Sequence, residues 1–124
     1  MVVVFGRECL VKADLLLVAG VSQHFAFKWE KRDDDGNTVP VDLSSWRCRC
    51  QIRSVRREVI LDMALYVTLS AEGEITFDLP VEATRSLPPG SALWDLVLID
   101  DTDTTIRFAM GDVTVRLLVS GEMV

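Results

Sequence analysis

The sequence predicts an all-β fold, an antiparallel two-sheet sandwich of the immunoglobulin-like kind, with at most one short helical turn near residues 81–87. Apolar and polar residues alternate along most of the chain, turn-forming residues interrupt these runs at short intervals, and no long stretch has helical spacing. The chain has 124 residues, of which 49% are hydrophobic and 26% are charged, which is enough for one core but not for two. We therefore expect one domain over residues 1–124, in which residues 1–14 form an N-terminal arm or an edge strand.

Period-two patterns and turn residues locate the strands. An acidic turn at 33–37, a hairpin turn at 70–73 and the double proline at 88–89 separate apolar runs, and Gly111-Asp112 is expected to divide the last two strands. After Pro80, apolar positions at spacing three predict the single helical turn. The predicted strands lie near 8–12, 15–18, 23–31, 46–54, 58–61, 65–70, 74–79, 92–100, 105–110 and 112–119. The alternation places seven large residues inside: Trp29, Trp46, Phe77, Trp94, Leu96, Phe108 and Val115.

The strand at 92–100 is apolar on both faces. Trp94, Leu96 and Leu98 share one face, while Leu93, Val97 and Ile99 lie on the other, where Asp95 is the polar exception. Such a strand is either central in its sheet and covered by its own chain, or covered by a partner.

Arginines cluster in one part of the chain. Arg47, Arg49 and Arg53 fall on one face of a predicted strand, and Arg56 and Arg57 follow in the next loop. Three interpretations stay open: a solvated face paired with acidic neighbours across the sheet, a docking surface for an acidic partner subunit, or a nucleic-acid contact. The net charge of −6 and the absence of interleaved aromatic residues count against nucleic acid.

Two acidic loops offer oxygen ligands, one with Asp33, Asp34 and Asp35 and one at 100–103. Calcium would suit such loops, but the first run lacks the alternation of a calcium-loop motif, and acidic loops are commonly solvated turns. We predict no metal site.

The residues typical of catalysis and zinc binding are few. His24 is the single histidine and no catalytic motif surrounds it. Cys9, Cys48 and Cys50 match neither a disulfide framework nor a zinc spacing, and are expected to be free thiols. The sequence therefore predicts no catalytic residues, no cofactor and no enzyme activity.

The first residues of the chain form an apolar strip of Val2, Val3, Val4 and Phe5. In an isolated monomer this strip would be loose or would add an exposed sheet edge, whereas across a subunit boundary it could extend the sheet of a neighbour. With no basic residues ahead of the strip and no apolar run near 20 residues, we expect synthesis in a cytoplasm and no membrane contact.

The order of the motifs resembles the small β-sandwich domains of tailed-bacteriophage virions, over about residues 20–119. The Asp-Asp-Asp-Gly turn at 33–36 leads into Val-Pro-Val-Asp-Leu-Ser-Ser-Trp at 39–46 and a strand with alternating arginines. Gly-Glu-Ile-Thr-Phe-Asp-Leu-Pro at 73–80, Pro-Gly at 89–90, Trp-Asp-Leu at 94–96 and Gly-Asp-Val-Thr-Val at 111–115 follow. The most similar groups are tail-collar and fibre-anchoring proteins and baseplate-type minor tail proteins.

This resemblance implies a structural role. The expected protein is a tail- or collar-associated virion subunit, made in the host cytoplasm, that contacts other copies of itself and other virion proteins, for example in a ring. The expected interface comprises Val2, Val3, Val4, Phe5, Arg47, Arg49, Arg53, Asp33, Asp34 and Asp35. The alternatives are a capsid decoration or minor capsid protein and, from another class, a carbohydrate-binding sandwich module.

Overall fold

The computed structural model describes residues 2–5, as backbone alone, and residues 11–118. These residues form two β-sheets that pack face to face, which confirms the predicted sandwich. The strands are β1 Val2–Phe5, β2 Val11–Lys12, β3 Leu15–Val18, β4 Gln23–Arg32, β5 Thr38–Pro40, β6 Arg47–Ser54, β7 Val59–Asp62, β8 Val67–Leu69, β9 Glu74–Leu79, β10 Gly90–Ile99 and β11 Thr105–Arg116. A 3-10 turn, η1, spans Met63–Tyr66, and a single helical turn, α1, spans Val81–Thr84.

The first sheet has the order β1-β4-β9-β8, with β5 also paired to β4, and the second has the order β2-β11-β10-β6-β7, with β3 also paired to β11. The central strands of both sheets pair antiparallel, as expected. The three N-terminal strands instead pair in parallel, β1 with β4 and both β2 and β3 with β11. Parallel pairing is possible here because long connections separate these strands from their partners along the chain.

Aromatic side chains from both sheets meet in the centre of the sandwich. Phe27 of the first sheet lies 6.2 Å from Trp94 and 5.9 Å from Phe108 of the second sheet, measured between ring centroids. Phe77 completes the group at 6.1 Å from Trp94. Stacked and edge-to-face rings of this kind bury large apolar areas, so this cluster holds the sheets together.

Six of the seven predicted core residues are buried, and Trp46 is half-buried. Trp46 lies in the turn before β6, where its N–H donates to the carbonyl of Leu43, and not in the strand itself. Its ring contacts Trp29 edge-to-face at 5.6 Å, so it covers the border of the core.

The predicted break at Gly111-Asp112 is wrong, because β11 runs without interruption through both residues. Gly111 has another role: a Cβ at this position would lie 2.0 Å from the carbonyl oxygen of Ala13. The link between β2 and β3 crosses here, fixed by hydrogen bonds from Trp94 Nε1 to the Ala13 carbonyl and from the Asp112 N–H to Asp14. The glycine permits this close approach of the backbone.

The other strand boundaries shift by a few residues. The strand predicted at 65–70 begins at Val67, because residues 63–66 form η1, and Asp62 caps this turn by accepting the N–H of Ala64. Of the strand predicted at 8–12, residues 11–12 form β2, and residues 8–10 lie outside the described residues. The structure adds β5, which the sequence did not predict.

The predicted helical turn near 81–87 is confirmed as α1. Thr84, at the end of this turn, is completely buried, and its hydroxyl donates to the carbonyl of Val21 and accepts the N–H of Gly20. This side chain therefore connects α1 to the loop that links the two sheets between β3 and β4.

Candidate functional site

The arginines of β6 lie on the outer face of the second sheet. Cys50 and Ile52 point into the core, while Arg47, Arg49 and Arg53 alternate with them and are exposed. This confirms the predicted common face, which we call the arginine face.

The arginine face is not paired with acidic neighbours across the sheet. Strand β6 lies between β10 and β7. The register with β10 places Val97 opposite Arg49, Leu93 opposite Arg53 and Ile99 opposite Arg47, and that with β7 places Val59 opposite Arg53. The carboxylates Asp95 of β10 and Asp62 of β7 lie opposite Gln51. Because the directly opposite positions are apolar, Arg49 and Arg53 have no carboxylate directly across from them, and Asp95 is only their diagonal neighbour. Their aliphatic stems can instead cover part of the β10 surface.

Each of the three arginines has a different environment. Arg47 forms an ion pair with Asp103 at 2.6 Å, between side chains that are 65% and 76% exposed, a setting in which ion pairs contribute little stability. Arg53 donates to the side-chain oxygen of Gln51 and to the carbonyl of Arg57. Within the described residues, no carboxylate lies at ion-pair distance from Arg49 or Arg53.

Strand β10 lies between β6 and β11, so it is central in the second sheet, which is one of the two arrangements expected for a strand that is apolar on both faces. Its outer face is nevertheless incompletely covered. Leu93 is 46% exposed, and Leu16 on the neighbouring part of the sheet is 57% exposed. A central strand with an exposed leucine leaves apolar surface available to a partner.

An open groove of about 440 Å³ crosses this outer face. Its polar lining includes Arg53, Arg57 and Arg107, with Asp95 and Gln51 between them, and Leu93 and Met110 form apolar parts of its surface. Arg53 belongs to the predicted arginine face, whereas Arg107 is not among the predicted interface residues. The signal was available, because Arg107 is an outward residue of the strand that follows the two-sided apolar strand.

The loop between β6 and β7 is tightly organised. The Ser54 hydroxyl accepts the N–H groups of Arg56 and Glu58, and the Ser54 carbonyl accepts the N–H of Arg57. Arg57 has a φ of 68°, in the left-handed region that few residues other than glycine adopt. The loop hydrogen bonds hold this conformation and place Arg57 at the groove.

The acidic turn at 33–37 forms the tip of the β4–β5 hairpin. The Asp33 carboxylate accepts the N–H groups of Asp35 and Asn37, so it stabilises the turn itself. Asp34 and Asp35 are exposed. The second acidic loop is built in the same way, since the Asp100 carboxylate accepts the N–H groups of Thr102 and Thr104. These hydrogen bonds, led by that from the Thr102 hydroxyl, lower the pKa of Asp100.

The apolar N-terminal strip forms β1, an edge strand of the first sheet, with Val2 in register with Phe27 and Phe5 in register with Glu30. Its backbone is thus paired within its own chain, which is the edge placement that the sequence analysis had left open. It belongs to a different sheet from the arginine face, so the residues of the expected interface are not one continuous patch in a single sheet.

His24 is exposed and pairs with Asp78, its register partner on the outer face of the first sheet. Cys48 and Cys50 lie on the inward side of β6, and burial raises the pKa of both thiols. Cys9 lies outside the described residues. Across the described residues, no group of three or more histidine, cysteine, aspartate or glutamate side chains is arranged to hold a metal ion.

The three tryptophans do not form a flat exposed platform. Trp29 and Trp94 are each 3% exposed, and the rings of Trp29 and Trp46 are at 88° to each other. Coplanar exposed tryptophans would have favoured the carbohydrate-binding alternative. In the described part of the chain, no helix is long and apolar enough to cross a membrane.

No protein-family model and no curated protein matches the sequence. Among solved structures, the chain is similar to the fibronectin(III)-like modules of CbhA from Clostridium thermocellum, with a TM-score of 0.44 and 11% identity over 86% of this chain and 90% of that chain. It is also similar to the N-terminal domain of ORF48 of phage TP901-1, with a TM-score of 0.48 and 11% identity over 94% of this chain and 99% of that chain.

Proposed function

We propose that this protein is a non-enzymatic structural subunit of a tailed-bacteriophage virion, associated with the tail or collar, that joins neighbouring subunits or anchors fibres. The observation that carries the proposal is the arginine face, a row of exposed arginines beside the apolar outer side of β10. Among the three arginines of this face, Arg47 alone has a carboxylate partner within the described residues. In a chain of net charge −6, such a concentration of positive charge is suited to contact with acidic protein surfaces.

The acidic tip of the β4–β5 hairpin of another copy is the partner that we propose for the arginine face. Asp34 and Asp35 are exposed there, on a turn that Asp33 holds in shape. Pairing between the tip and Arg49 would fix the orientation of neighbouring copies, because charge complementarity specifies register more than it adds affinity.

The β1 edge is a second contact in this proposal. An edge strand has a row of backbone groups on its outer side that can pair with a strand from another chain. Contacts through one sheet edge and one sheet face use different surfaces of the subunit, and such head-to-tail contacts generate rings or filaments.

The assignment to a phage virion rests on the similarity of motif order over about residues 20–119. The protein would then be made in the host cytoplasm and be located in the virion, with copies of itself and other virion proteins as partners, and with neither nucleic acid nor membrane as a partner. A capsid decoration or minor capsid protein would use the same kind of surface. Imaging a labelled subunit in the particle distinguishes these locations.

The proposal is tested by sedimentation equilibrium of the full-length protein over a range of concentrations, together with capture of purified virion proteins. We expect the mean mass to rise with concentration, or a virion protein to be captured. Deletion of residues 1–6 should abolish this association while the β-sheet circular dichroism signal persists. A full-length protein that stays monomeric at high concentration and binds no virion protein would refute the proposal.

A further inference from the structure

We infer that the groove on the outer face of the second sheet binds an extended peptide segment of a partner protein, with acidic side chains on either side of an aliphatic one. This inference rests on the proposed function and deepens it, because it assigns the groove a ligand chemistry that differs from the self-association of the arginine face.

Arg53 is held in position by hydrogen bonds within its own chain. Its Nε and Nη2 donate to the Gln51 side-chain oxygen at 3.0 and 2.7 Å, and its Nη1 donates to the Arg57 carbonyl at 2.8 Å. None of these partners is charged, so the guanidinium is fixed while its charge is not neutralised. A fixed guanidinium loses little conformational entropy when it binds a carboxylate.

Arg57 has a left-handed conformation, with a φ of 68°. Nothing in the hairpin turn itself requires an arginine here, and glycine would adopt this conformation without cost. The conformation directs the Arg57 carbonyl to Arg53 and puts Arg57 in the lining of the groove. Strained residues that are held by surrounding hydrogen bonds are concentrated at binding sites.

The spacing of the positive charges of Arg53 and Arg107 suits an extended segment. Leu93 is in register with Arg53 on one side, and Val97 is in register with Arg107 on the other. Arg53 and Arg107 are therefore about 13 Å apart along the strands and about 10 Å apart across them. An extended segment of four to five residues covers about 13–17 Å, so it could bring one acidic side chain to each arginine.

The apolar part of the groove distinguishes its ligand from a simple anion. Leu93, which is 46% exposed, lies opposite Arg53 at one end of the groove, and Met110, which is in register with Asp95, lies midway between the rows of Arg53 and Arg107. An aliphatic side chain between the two acidic ones would cover this apolar surface. Asp95 is the single acidic residue of the lining, against three arginines, so the groove retains a positive balance.

The acidic loops of this chain do not match that pattern. The tip at 33–37 reads Asp-Asp-Asp-Gly-Asn and the loop at 100–104 reads Asp-Asp-Thr-Asp-Thr, so neither contains an aliphatic residue. A segment of another protein is therefore the occupant that fits both the charge and the apolar surface. Nucleic acid fits less well, because Trp94 is the one aromatic residue of the lining and its ring packs against Phe27 in the core.

The test measures binding of the full-length protein to a fluorescent peptide, Glu-Ser-Leu-Ser-Glu, by anisotropy at low salt. We expect Arg53→Gln and Arg107→Gln each to weaken binding about tenfold, as the loss of one charge-assisted hydrogen bond would. Arg116→Gln is the matched control, because Arg116 is an exposed arginine on the same strand as Arg107 but outside the groove lining, and this variant should change binding less than about twofold. The peptide in which serine replaces leucine should bind more weakly, as should the wild-type peptide to Leu93→Ser, whereas Leu16→Ser serves as the exposed-leucine control.

Equal binding by the wild type and by Arg53→Gln and Arg107→Gln would overturn the inference. So would equally tight binding of a single-stranded oligonucleotide of the same charge, lost in the same variants, since it would make the groove a general anion site. Binding of the isolated 33–37 tip peptide in preference to the acidic-aliphatic peptide would also overturn it, in favour of a second copy as occupant. Failure of the proposed function is distinguishable, because Arg107 lies outside the arginine face: Arg107→Gln should weaken binding of this peptide without changing self-association, whereas Arg49→Glu should impair self-association.

Discussion

The outer faces of the two sheets differ in which residues lie opposite their basic side chains. On the first sheet, His24 is in register with Asp78 and Lys28 with Glu74, so basic side chains face acidic ones across β4 and β9. On the second sheet, Arg49 and Arg107 both flank Val97, and Arg53 flanks Leu93. At these positions the cross-strand neighbours of basic residues on the first face are acidic, whereas those of Arg49, Arg53 and Arg107 on the second face are apolar. This difference is the reason why we propose the second sheet as the side that meets a partner.

The largest loss of stability should come from a substitution on the inner side of β10, which packs in the core. Trp94→Ala removes a ring that contacts Phe27 and Phe77 and donates to the Ala13 carbonyl. We therefore expect the free energy of unfolding to fall by about 3–5 kcal/mol. Leu93→Ala, one residue away on the outer side, should cost less than about 1 kcal/mol. Urea denaturation of both variants gives the two values. Similar losses for the two would mean that the outer side of β10 is also a structural surface.

Trp46→Ala should have an intermediate effect, because the half-buried ring borders the core. We expect a loss of about 2 kcal/mol, smaller than for a fully buried tryptophan. Denaturation monitored by circular dichroism measures it, with Trp94→Ala as the upper reference. A loss well under 1 kcal/mol would show that the edge-to-face contact with Trp29 contributes little.

Charge reversal compares the two outer faces directly. Arg49→Glu should weaken self-association, and more so at low salt, where surface charges are least screened. Lys28→Glu is the matched reversal on the first sheet, where it faces Glu74, and it should lower stability by about 0.5 kcal/mol without changing association. Sedimentation velocity at two salt concentrations separates these outcomes. Equal loss of association in both variants would remove the distinction between the faces.

The smallest effect concerns acid. Hydrogen bonds lower the folded-state pKa of Asp100 below its ordinary value of 3.8, so its stabilising contribution is complete above that value and is lost as the pH falls through the folded pKa. Asp100→Ala should therefore be less stable than wild type at neutral pH, and the difference in melting temperature should shrink toward pH of about 2. A difference that stays constant with pH would show that the charged carboxylate is not what holds the β10–β11 turn.

The fold followed from the sequence where one residue pattern was enough. Alternation placed Phe77 and Trp94 in the core and Arg49 on the surface, because one residue in two must face inward in a half-buried strand. It failed at Gly111, where the reason for the glycine is the Ala13 carbonyl, almost a hundred residues away along the chain. It also could not place Arg107 beside Arg53, since the strand order that brings β11 and β6 to either side of β10 is not encoded in any local pattern.

The central claim, that the arginine face receives the acidic hairpin tip of another copy, is tested most directly by mixing two charge-reversed variants. Arg49→Glu and Asp34→Arg should each fail to self-associate, and each should keep a wild-type melting temperature. When the two are mixed in equal amounts, Asp34→Arg supplies an intact arginine face and Arg49→Glu supplies an intact acidic tip. We expect sedimentation of the mixture to show a complex that contains both variants. A mixture that stays monomeric, while the wild type associates under the same conditions, would contradict it.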